Sequence, residues 1–303
     1  MSSHSDGEAW GLAVSERNPD IAVSVGDDNQ LKVWNLEQHI CVESLELEAK
    51  AGKARKVGIG ASTLARTAPN QQARCVTINP NSGHIAIGFN NGKLMIKAGI
   101  NALDNTLARF KHAKEWIEAM RYSPNGQWLA VGSHDNAIYI YDANDYSLKS
   151  HKFVHSSYIT ELDWSCDSQA IKSCCGAYEL IFWSVSPSGA LEHNPSGASE
   201  LADETWDTYS THFGWNLQGI FGNMRDYTHV NRVDRSCNKS TFAVGNDWGL
   251  VELFRNPNDK TCRSKGYKAH SEHVTNVKWT SDGRYLLSAG GYDQCIMQWR
   301  IVN

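Results

Sequence analysis

A short motif that recurs six times constrains the fold more than any other feature of this sequence. Each copy has apolar residues at its first and fourth positions and, in five copies, a large apolar residue at its sixth. Successive copies are 64, 44, 42, 71 and 44 residues apart. They begin at Ala9, Ala73, Ile117, Ile159, Val230 and Val274. Because self-similarity at a period of about 20–50 residues marks repeat architectures, the chain is predicted to be built from repeated units.

Each copy is followed by a turn and by two further apolar runs. Turn residues such as SPNG after Tyr122 and TSDG after Trp279 supply the dihedral angles of a tight connection between strands. The last run ends at an aromatic residue in five copies and at Lys97 in the second. These aromatic residues are Trp34, Tyr141, Trp183, Phe254 and Trp299. Short strands with regular turn signals are typical of all-β proteins.

The spacing of the copies predicts a β-propeller. Three of the five intervals lie near the 40–45 residues of a four-stranded blade, and radial packing of such sheets buries both faces of each. We predict one all-β domain over residues 1–303, with six recognisable repeats and an irregular blade that leaves the count at six or seven. The two long intervals are assigned to insertions at residues 48–70 and 186–227.

Composition and charge limit the classes of function that can be expected of the chain. The 303 residues carry a formal net charge of −4, which favours neither a nucleic-acid-binding nor a membrane-binding protein. The polar start MSSHSDGEAW and the lack of a long apolar run predict neither a signal peptide nor a membrane span. Eight cysteines form no CxxC pair, so reduced thiols, a cytoplasmic location, no metal site and no cofactor are expected.

The copies resemble WD repeats, and the last one, AHSEHVTNVKWTSDGRYLLSAGGYDQCIMQW, is the most similar. In WD repeats a loop histidine, a strand serine or threonine, a turn aspartate and a strand tryptophan form a buried hydrogen-bonded network. The resemblance assigns to this network His4, Ser24, Asp28 and Trp34 in the first copy, His112 and Asp135 in the third, and His270, Asp293 and Trp299 in the sixth. Ala289 is expected to stand where the sixth copy needs its hydroxyl. The second, fourth and fifth copies are expected to have lost most of the network.

Three stretches go beyond the general WD pattern and resemble the C-terminal propeller of the echinoderm microtubule-associated protein-like family. They are EAWGLAV with VGDDNQLKVWNLEQH, the Trp-rich region from ETWDTYSTHFGW to LVELF, and AHSEHVTNVKW with DGRYLLSAGGYDQ. The resemblance covers nearly the whole chain apart from roughly residues 48–70. It implies a preceding propeller in the same protein, and tubulin or microtubule-associated proteins as partners.

The ends of the chain predict an incomplete last blade. Only four residues follow Trp299, and the stretch before Ala9 is too short to donate an outer strand. A sheet without its fourth strand would expose unpaired backbone groups at its edge. We therefore expect sequence outside this chain to supply the missing strand.

The insertion at residues 48–70 is basic, with Glu48 as its single acid. Its cationic residues, which are the candidate binding residues, are Lys50, Lys53, Arg55, Lys56 and Arg66. A basic loop on a weakly acidic body can bind an acidic partner such as a tubulin tail. A solvated loop without a partner explains the same composition.

The insertion at residues 186–227 is rich in aromatic residues. These are Trp206, Tyr209, Phe213, Trp215 and Phe221. They are interpreted as the core of an irregular blade of two or three strands, with an exposed interface as the alternative.

No enzyme is predicted, because no catalytic motif is present. His151 and His155 lie in a loop with no cysteine or carboxylate at ligand spacing. The favoured function is a non-enzymatic scaffold of the cytoskeleton that binds tubulin. The alternative is a generic WD-repeat adaptor that docks peptides in a signalling or ubiquitin complex, because the fold alone does not fix the partner.

Overall fold

The computed structural model describes residues 1, 3–47, 71–221, 230–259 and 261–302. Within these ranges, 23 strands form six antiparallel sheets, called here blades one to six in chain order. Blades one to five have four strands each, and blade six has three. The strands of blades one to three are β1 (Ala9–Val14), β2 (Ile21–Gly26), β3 (Gln30–Asn35), β4 (Ile40–Glu46), β5 (Ala73–Ile78), β6 (Ile85–Phe89), β7 (Leu94–Lys97), β8 (Thr106–Phe110), β9 (Ile117–Tyr122), β10 (Trp128–Ser133), β11 (Ala137–Asp142) and β12 (Leu148–Phe153).

The second half of the chain continues the same meander. Its strands are β13 (Ile159–Trp164), β14 (Ala170–Cys175), β15 (Leu180–Val185), β16 (Leu191–Asn194), β17 (Arg232–Arg235), β18 (Thr241–Gly245), β19 (Leu250–Arg255), β20 (Lys265–Lys268), β21 (Val274–Trp279), β22 (Tyr285–Gly290) and β23 (Ile296–Arg300). Helical structure is limited, within the described ranges, to α1 (Gly197–Glu200) and two 3₁₀ turns at Ile100–Ala102 and Gln218–Phe221.

The first strands of the blades form the inside of a ring. β1 contacts β5, β5 contacts β9, β9 contacts β13, and β17 contacts β21. The ring closes between blades six and one, where β21 contacts β1 and the Asn276 side-chain amide donates a hydrogen bond to the Trp10 carbonyl oxygen at 3.0 Å. The predicted all-β WD-type propeller is therefore confirmed.

Burial falls from the inside of each blade to its outside. The second strands β6 and β10 are buried along their whole length, because both faces of the sheet pack against neighbouring blades. The outer strand β4 is almost entirely exposed. Trp164 and Trp183 are among the largest fully buried side chains and belong to the core between blades three and four.

Residues 195–221 of the aromatic insertion pack between blades four and five. We call this segment the wedge. Trp206 and Tyr209 are buried in a core cluster that also includes Phe242 of blade five. The predicted two or three strands are wrong for the described part of the insertion: β16 completes blade four, and the wedge adds only two isolated bridges, from Trp206 to Ser165 and from Leu217 to Asn258. Six sheets therefore account for the strands of the described residues.

The physical reason is that a side chain, rather than a strand ladder, satisfies the backbone of the wedge. The carboxylate of Asp163 in β13 accepts hydrogen bonds from the backbone amides of Ser210 and Thr211 at 2.7–2.9 Å. The hydroxyl groups of Thr208 and Ser210 also donate to Asp163. Hydrogen bonding to an ionised carboxylate is stronger than between neutral groups, so these bonds replace those of a strand.

Blade six has the three strands that the sequence predicts. The stretch before β1, however, reaches the edge of this blade. Met1 and Ile296 exchange two backbone hydrogen bonds of 2.9 Å, and the Ser3 amide donates to the Gln294 carbonyl oxygen at 2.7 Å. The first residues therefore contact the start of β23 but, among the described residues, add no fourth strand to blade six.

Candidate protein-interaction surface

The hydrogen-bonded network of blade one ties a loop to a turn. His4 Nδ1 lies 2.7 Å from Asp28 Oδ1, and His4 Nε2 lies 3.0 Å from Ser24 Oγ. The Trp34 indole donates to the same hydroxyl oxygen at 2.9 Å. Burial alone would raise the pKa of Asp28, but the hydrogen bond and charge of His4 outweigh it, so the pKa lies below its usual value. The loop before β1 is thus fixed to the turn between β2 and β3.

Blade six has the same arrangement, with one correction to the sequence assignment. His270 Nδ1 lies 2.8 Å from Asp293 Oδ2, and His270 Nε2 lies 2.7 Å from Ser288 Oγ. The Trp299 indole donates to Ser288 Oγ at 2.9 Å. The expected loss of the hydroxyl at Ala289 is wrong, because Ser288 occupies the position that faces the histidine, while Ala289 packs into the core on the other face of β22.

Blade three uses a different set of bonds. His112 Nδ1 lies 3.3 Å from the Tyr141 hydroxyl group, and His112 is exposed. Asp135 instead accepts hydrogen bonds from the Tyr139 hydroxyl group at 2.7 Å and from the Lys114 amide at 2.9 Å. His112 and Asp135 are therefore bonded to different partners, and the predicted contact between them is replaced by these bonds.

Blade four retains a network that the sequence interpretation missed. His155 Nε2 lies 2.7 Å from Ser173 Oγ, which accepts a hydrogen bond from the Trp183 indole at 2.8 Å. Glu179 takes the place of the aspartate, with Oε2 at 3.4 Å from His155 Nδ1. The expectation that the fourth copy had lost most of the network is thus wrong. Trp183 in β15 was the sequence feature that could have indicated this network. The network was not recognised because a glutamate replaces the aspartate and the turn is longer.

Charged side chains fill the space between the inner strands of blades three, four and five. Arg232 of β17 lies 3.1 Å from Glu118 of β9 and 3.0 Å from Glu161 of β13. His134 also contacts Glu118, at 2.7 Å. Burial opposes the charge of Arg232, but its two carboxylate partners outweigh burial and raise its pKa. This ionic cluster cross-links the inner strands of three blades.

Exposed aromatic side chains gather at one end of the blades. Tyr178, Trp248 and Tyr292 lie in the turns between the second and third strands of blades four, five and six. Their exposed fractions are 57%, 63% and 67%. These turns lie at the same end of the propeller because each blade repeats the same antiparallel order. We call this end the aromatic face.

The aromatic face continues around blades one to four as stacked side chains. The Arg74 guanidinium lies 4.5 Å from the ring centres of both Trp10 and Trp116. Trp116 stacks on His134 at 5.2 Å, and His134 packs against Tyr158 at 4.6 Å. Guanidinium–aromatic and aromatic–aromatic contacts hold flat surfaces in fixed positions, which suits a preformed binding surface.

Comparison with known proteins identifies the family. Residues 9–301 match the model described as the echinoderm microtubule-associated protein second beta-propeller. The chain belongs to this family. The resemblance stated from the sequence is therefore confirmed, and this propeller of the echinoderm microtubule-associated protein family retains three of the intrablade networks described above.

Similar proteins span a wide range of organisms. The chain is 43% identical over 301 residues to the ciliary WD repeat-containing protein ctxp80 of Euplotoides octocarinatus, covering 99% of this chain and 41% of that protein. It is 35% identical over 309 residues to echinoderm microtubule-associated protein-like 4 of Xenopus laevis, covering 100% of this chain and 30% of the other. It is 33% identical over 303 residues to the 77 kDa echinoderm microtubule-associated protein of Lytechinus variegatus, covering 97% and 41%. The chain thus spans about two-fifths or less of these relatives.

The predicted basic residues of this family member, Lys50, Lys53, Arg55, Lys56 and Arg66, lie outside the described residues. The residues that flank them are well defined. The Leu47 amide donates to the Asn29 carbonyl oxygen at 2.9 Å, and the Asn29 side-chain amide donates to the Gln71 carbonyl oxygen at 2.6 Å. Asn29 lies in the turn between β2 and β3, so both flanks of the basic segment are anchored at the aromatic face.

Two further findings concern helix length and thiols. In the part of the chain that the structure describes, no helix is long and apolar enough to cross a membrane. All eight cysteines are free thiols.

Proposed function

We propose that this chain is a non-enzymatic interaction propeller of a microtubule-associated protein, and that its aromatic face binds tubulin or a microtubule-associated partner. The observation that carries the proposal is the exposure of Tyr178, Trp248 and Tyr292 at the end of the blades where Leu47 and Gln71, which flank the basic segment, are bonded to Asn29. Exposed aromatic residues are the side chains that most often dominate the energy of protein interfaces. The names of the relatives, which include microtubule-associated proteins, point to the class of partner.

The positive charge of the basic segment would make this face favour acidic partners. Lys50, Lys53, Arg55 and Lys56 attract an acidic partner such as a tubulin tail, and this attraction is screened by salt. The aromatic side chains supply contacts that salt affects little. The two parts therefore predict different responses to ionic strength. A preceding propeller of the same protein is a further proposed partner, and the cytoplasmic cytoskeleton is the proposed location.

Co-sedimentation with microtubules tests this proposal. The aromatic variant changes Tyr178, Trp248 and Tyr292 to Ser, and its matched control is Ile40→Ser. Ile40 is 48% exposed and pairs with Asn35 at the opposite end of blade one. Loss of each aromatic contact at an interface costs roughly 1–2 kcal/mol, so binding is expected to weaken at least tenfold in the aromatic variant and to stay unchanged in the control.

A second variant changes Lys50, Lys53, Arg55 and Lys56 to Ser. We expect weaker binding at low salt and little difference at high salt. Binding that is unchanged in both variants would contradict the aromatic face as the site. Absence of microtubule binding together with capture of a short peptide would favour the generic adaptor instead. Circular dichroism of each variant establishes that the fold is retained.

A further inference from the structure

Three donor atoms of different chemistry meet at the end of β14 in blade four. They are Nδ1 of His155, Sγ of Cys175 and a carboxylate oxygen of Glu179, and all lie within 4.8 Å of one another. Cys175 Sγ is 3.2 Å from Glu179 Oε2, and His155 Nδ1 is 3.4 Å from the same oxygen. Ligands held at about 2.0–2.3 Å from one zinc ion in tetrahedral geometry are separated by about 3.3–3.7 Å. The cluster therefore has nearly the dimensions of a metal site.

The position of Cys175 is occupied by glycine in blades one and six. Cys175 pairs with the first residue of β13, just as Gly26 pairs with the first residue of β1 and Gly290 with that of β21. A Cβ atom at Gly26 would lie 3.1 Å from His4 Nδ1, and one at Gly290 would meet the network atoms of its own blade. Glycine thus leaves room for a direct histidine–carboxylate bond, whereas Cys175 places a sulfur atom beside the imidazole.

The carboxylate of blade four also lies farther along its turn than the carboxylate of blade one. Six residues separate Ser173 from Glu179 in blade four, compared with four residues from Ser24 to Asp28 in blade one. As a result, the histidine–carboxylate distance is 3.4 Å in blade four and 2.7 Å in blade one. The longer turn and longer side chain separate the two groups instead of bonding them closely.

The imidazole is oriented as in a metal site. His155 Nε2 lies 2.7 Å from Ser173 Oγ, which leaves Nδ1 facing Cys175 and Glu179. The side chain of His155 is fully buried, and Nδ1 has no hydrogen-bond partner among the described residues. A buried nitrogen without a partner costs about 1–3 kcal/mol, and a metal ligand normally donates its other ring N–H to a neighbouring oxygen. A metal ion bound at Nδ1 would give this nitrogen a partner, and Ser173 Oγ would accept the N–H of Nε2.

We propose that His155, Cys175 and Glu179 bind one Zn²⁺ ion. Imidazole, thiolate and carboxylate ligands together suit zinc, and three protein ligands leave a fourth position for water. Glu179 is 37% exposed, so the ion can enter from solvent. Binding breaks the S–H bond of Cys175, forms a Zn–S bond and releases the proton to solvent. The ion ties the turn that carries Tyr178 to the loop before β13 and to the end of β14.

The sequence does not indicate this site, and no metal was expected, because the ligands are separated by 20 and 4 residues and resemble no known zinc spacing. The fold brings them together through the packing of a WD network. The site is independent of the proposed function, since its test measures a metal ion and not a protein partner.

Zinc titration of the chelator-treated protein tests the proposal. A chromophoric zinc indicator measures affinity by competition, and elemental analysis after desalting measures stoichiometry. We expect one Zn²⁺ per chain in the wild type and at least a tenfold loss of affinity in Cys175→Gly, which copies the residue of blades one and six. The matched control is Cys237→Ser, because Cys237 is an exposed thiol in blade five. It is expected to bind zinc as the wild type does.

Cobalt substitution supplies a spectroscopic readout. A thiolate-to-cobalt charge-transfer band is expected in the wild type and is expected to be absent from Cys175→Gly. Glu179→Gln is the second variant in case the glycine variant does not fold, because this side chain faces solvent. Equal zinc affinity in the wild type and both variants would overturn the site, as would a wild type that binds no zinc after reduction of its thiols.

Discussion

The Trp299 indole donates a hydrogen bond of 2.9 Å to the hydroxyl oxygen of Ser288. The same hydroxyl lies 2.7 Å from His270 Nε2, and its side chain is fully buried. One small side chain therefore contacts the buried imidazole of His270 and the half-buried indole of Trp299, which come from two other segments of blade six. The stability of this blade depends on it more than its size suggests.

Replacing Ser288 by alanine is expected to destabilise the propeller by about 1–3 kcal/mol, because the buried His270 imidazole loses its partner, and the half-buried Trp299 indole loses one as well. Urea unfolding monitored by tryptophan fluorescence measures the change. Ser271→Ala is the control, because Ser271 is an exposed serine of the same blade. Equal unfolding midpoints for the two variants would contradict a network role for Ser288.

Asp163 is expected to hold the wedge in place. Asparagine at this position keeps one acceptor oxygen and loses the other, so the Thr211 amide loses its 2.9 Å bond to Oδ2. We expect Asp163→Asn to cost about 2–4 kcal/mol and to accelerate amide hydrogen exchange at Ser210 and Thr211. The exposed Asp203 provides the control substitution to Asn. Unchanged protection of the two amides would show that other contacts hold the wedge.

The positions of the strands could be predicted from local sequence because apolar runs and turn residues act over a few positions. The predicted starts at Ala9, Ala73, Ile117, Ile159 and Val274 are those of β1, β5, β9, β13 and β21. The predicted start at Val230 differs from β17 by two residues, since β17 begins at Arg232. Here a long insertion precedes the strand, and no turn signal in the sequence marks its start.

The networks were harder to predict because they depend on register. A shift of one residue in a strand moves a side chain to the opposite face, and this is why Ala289 was assigned in place of Ser288. Glu179 was missed because its turn is two residues longer than that of blade one. The aromatic face could not be derived from any single repeat, because Tyr178, Trp248 and Tyr292 come together only through the ring.

The stacking of Arg74 depends on its planar guanidinium group. Arg74 lies between Trp10 and Trp116 and contacts Asp27 at 2.9 Å. Arg74→Lys retains the charge but loses the flat surface, so we expect a loss of about 1–2 kcal/mol and altered tryptophan emission. The exposed Arg109 gives a control substitution to Lys that should change stability by less than about 0.5 kcal/mol. Equal effects would contradict a stacking role.

Lys172 is expected to make the stability of the propeller depend on pH. Burial lowers its pKa to about 7, although the charge of Asp163 opposes this. Its side chain is 2% exposed, and Nζ lies 3.7 Å from Asp163 Oδ2 and 4.8 Å from the ring centre of Trp206. In an unfolded chain the pKa of a lysine is about 10.4. From about pH 7 to 10 the unfolded chain therefore binds a proton that the folded chain has released.

Stability is then expected to rise with pH across this window, by up to about 1.4 kcal/mol per pH unit for this one group. Lys172→Met removes the group, so the difference in unfolding free energy between wild type and variant should move in favour of the wild type as pH rises from about 7 to 9. Urea unfolding at several pH values measures this difference, and groups common to both proteins cancel. Lys152→Met, at an exposed position of β12, is the control and should leave the difference independent of pH. A constant difference for Lys172→Met would mean that the folded chain keeps this amine charged throughout the window, with Asp163 and the aromatic rings offsetting its burial.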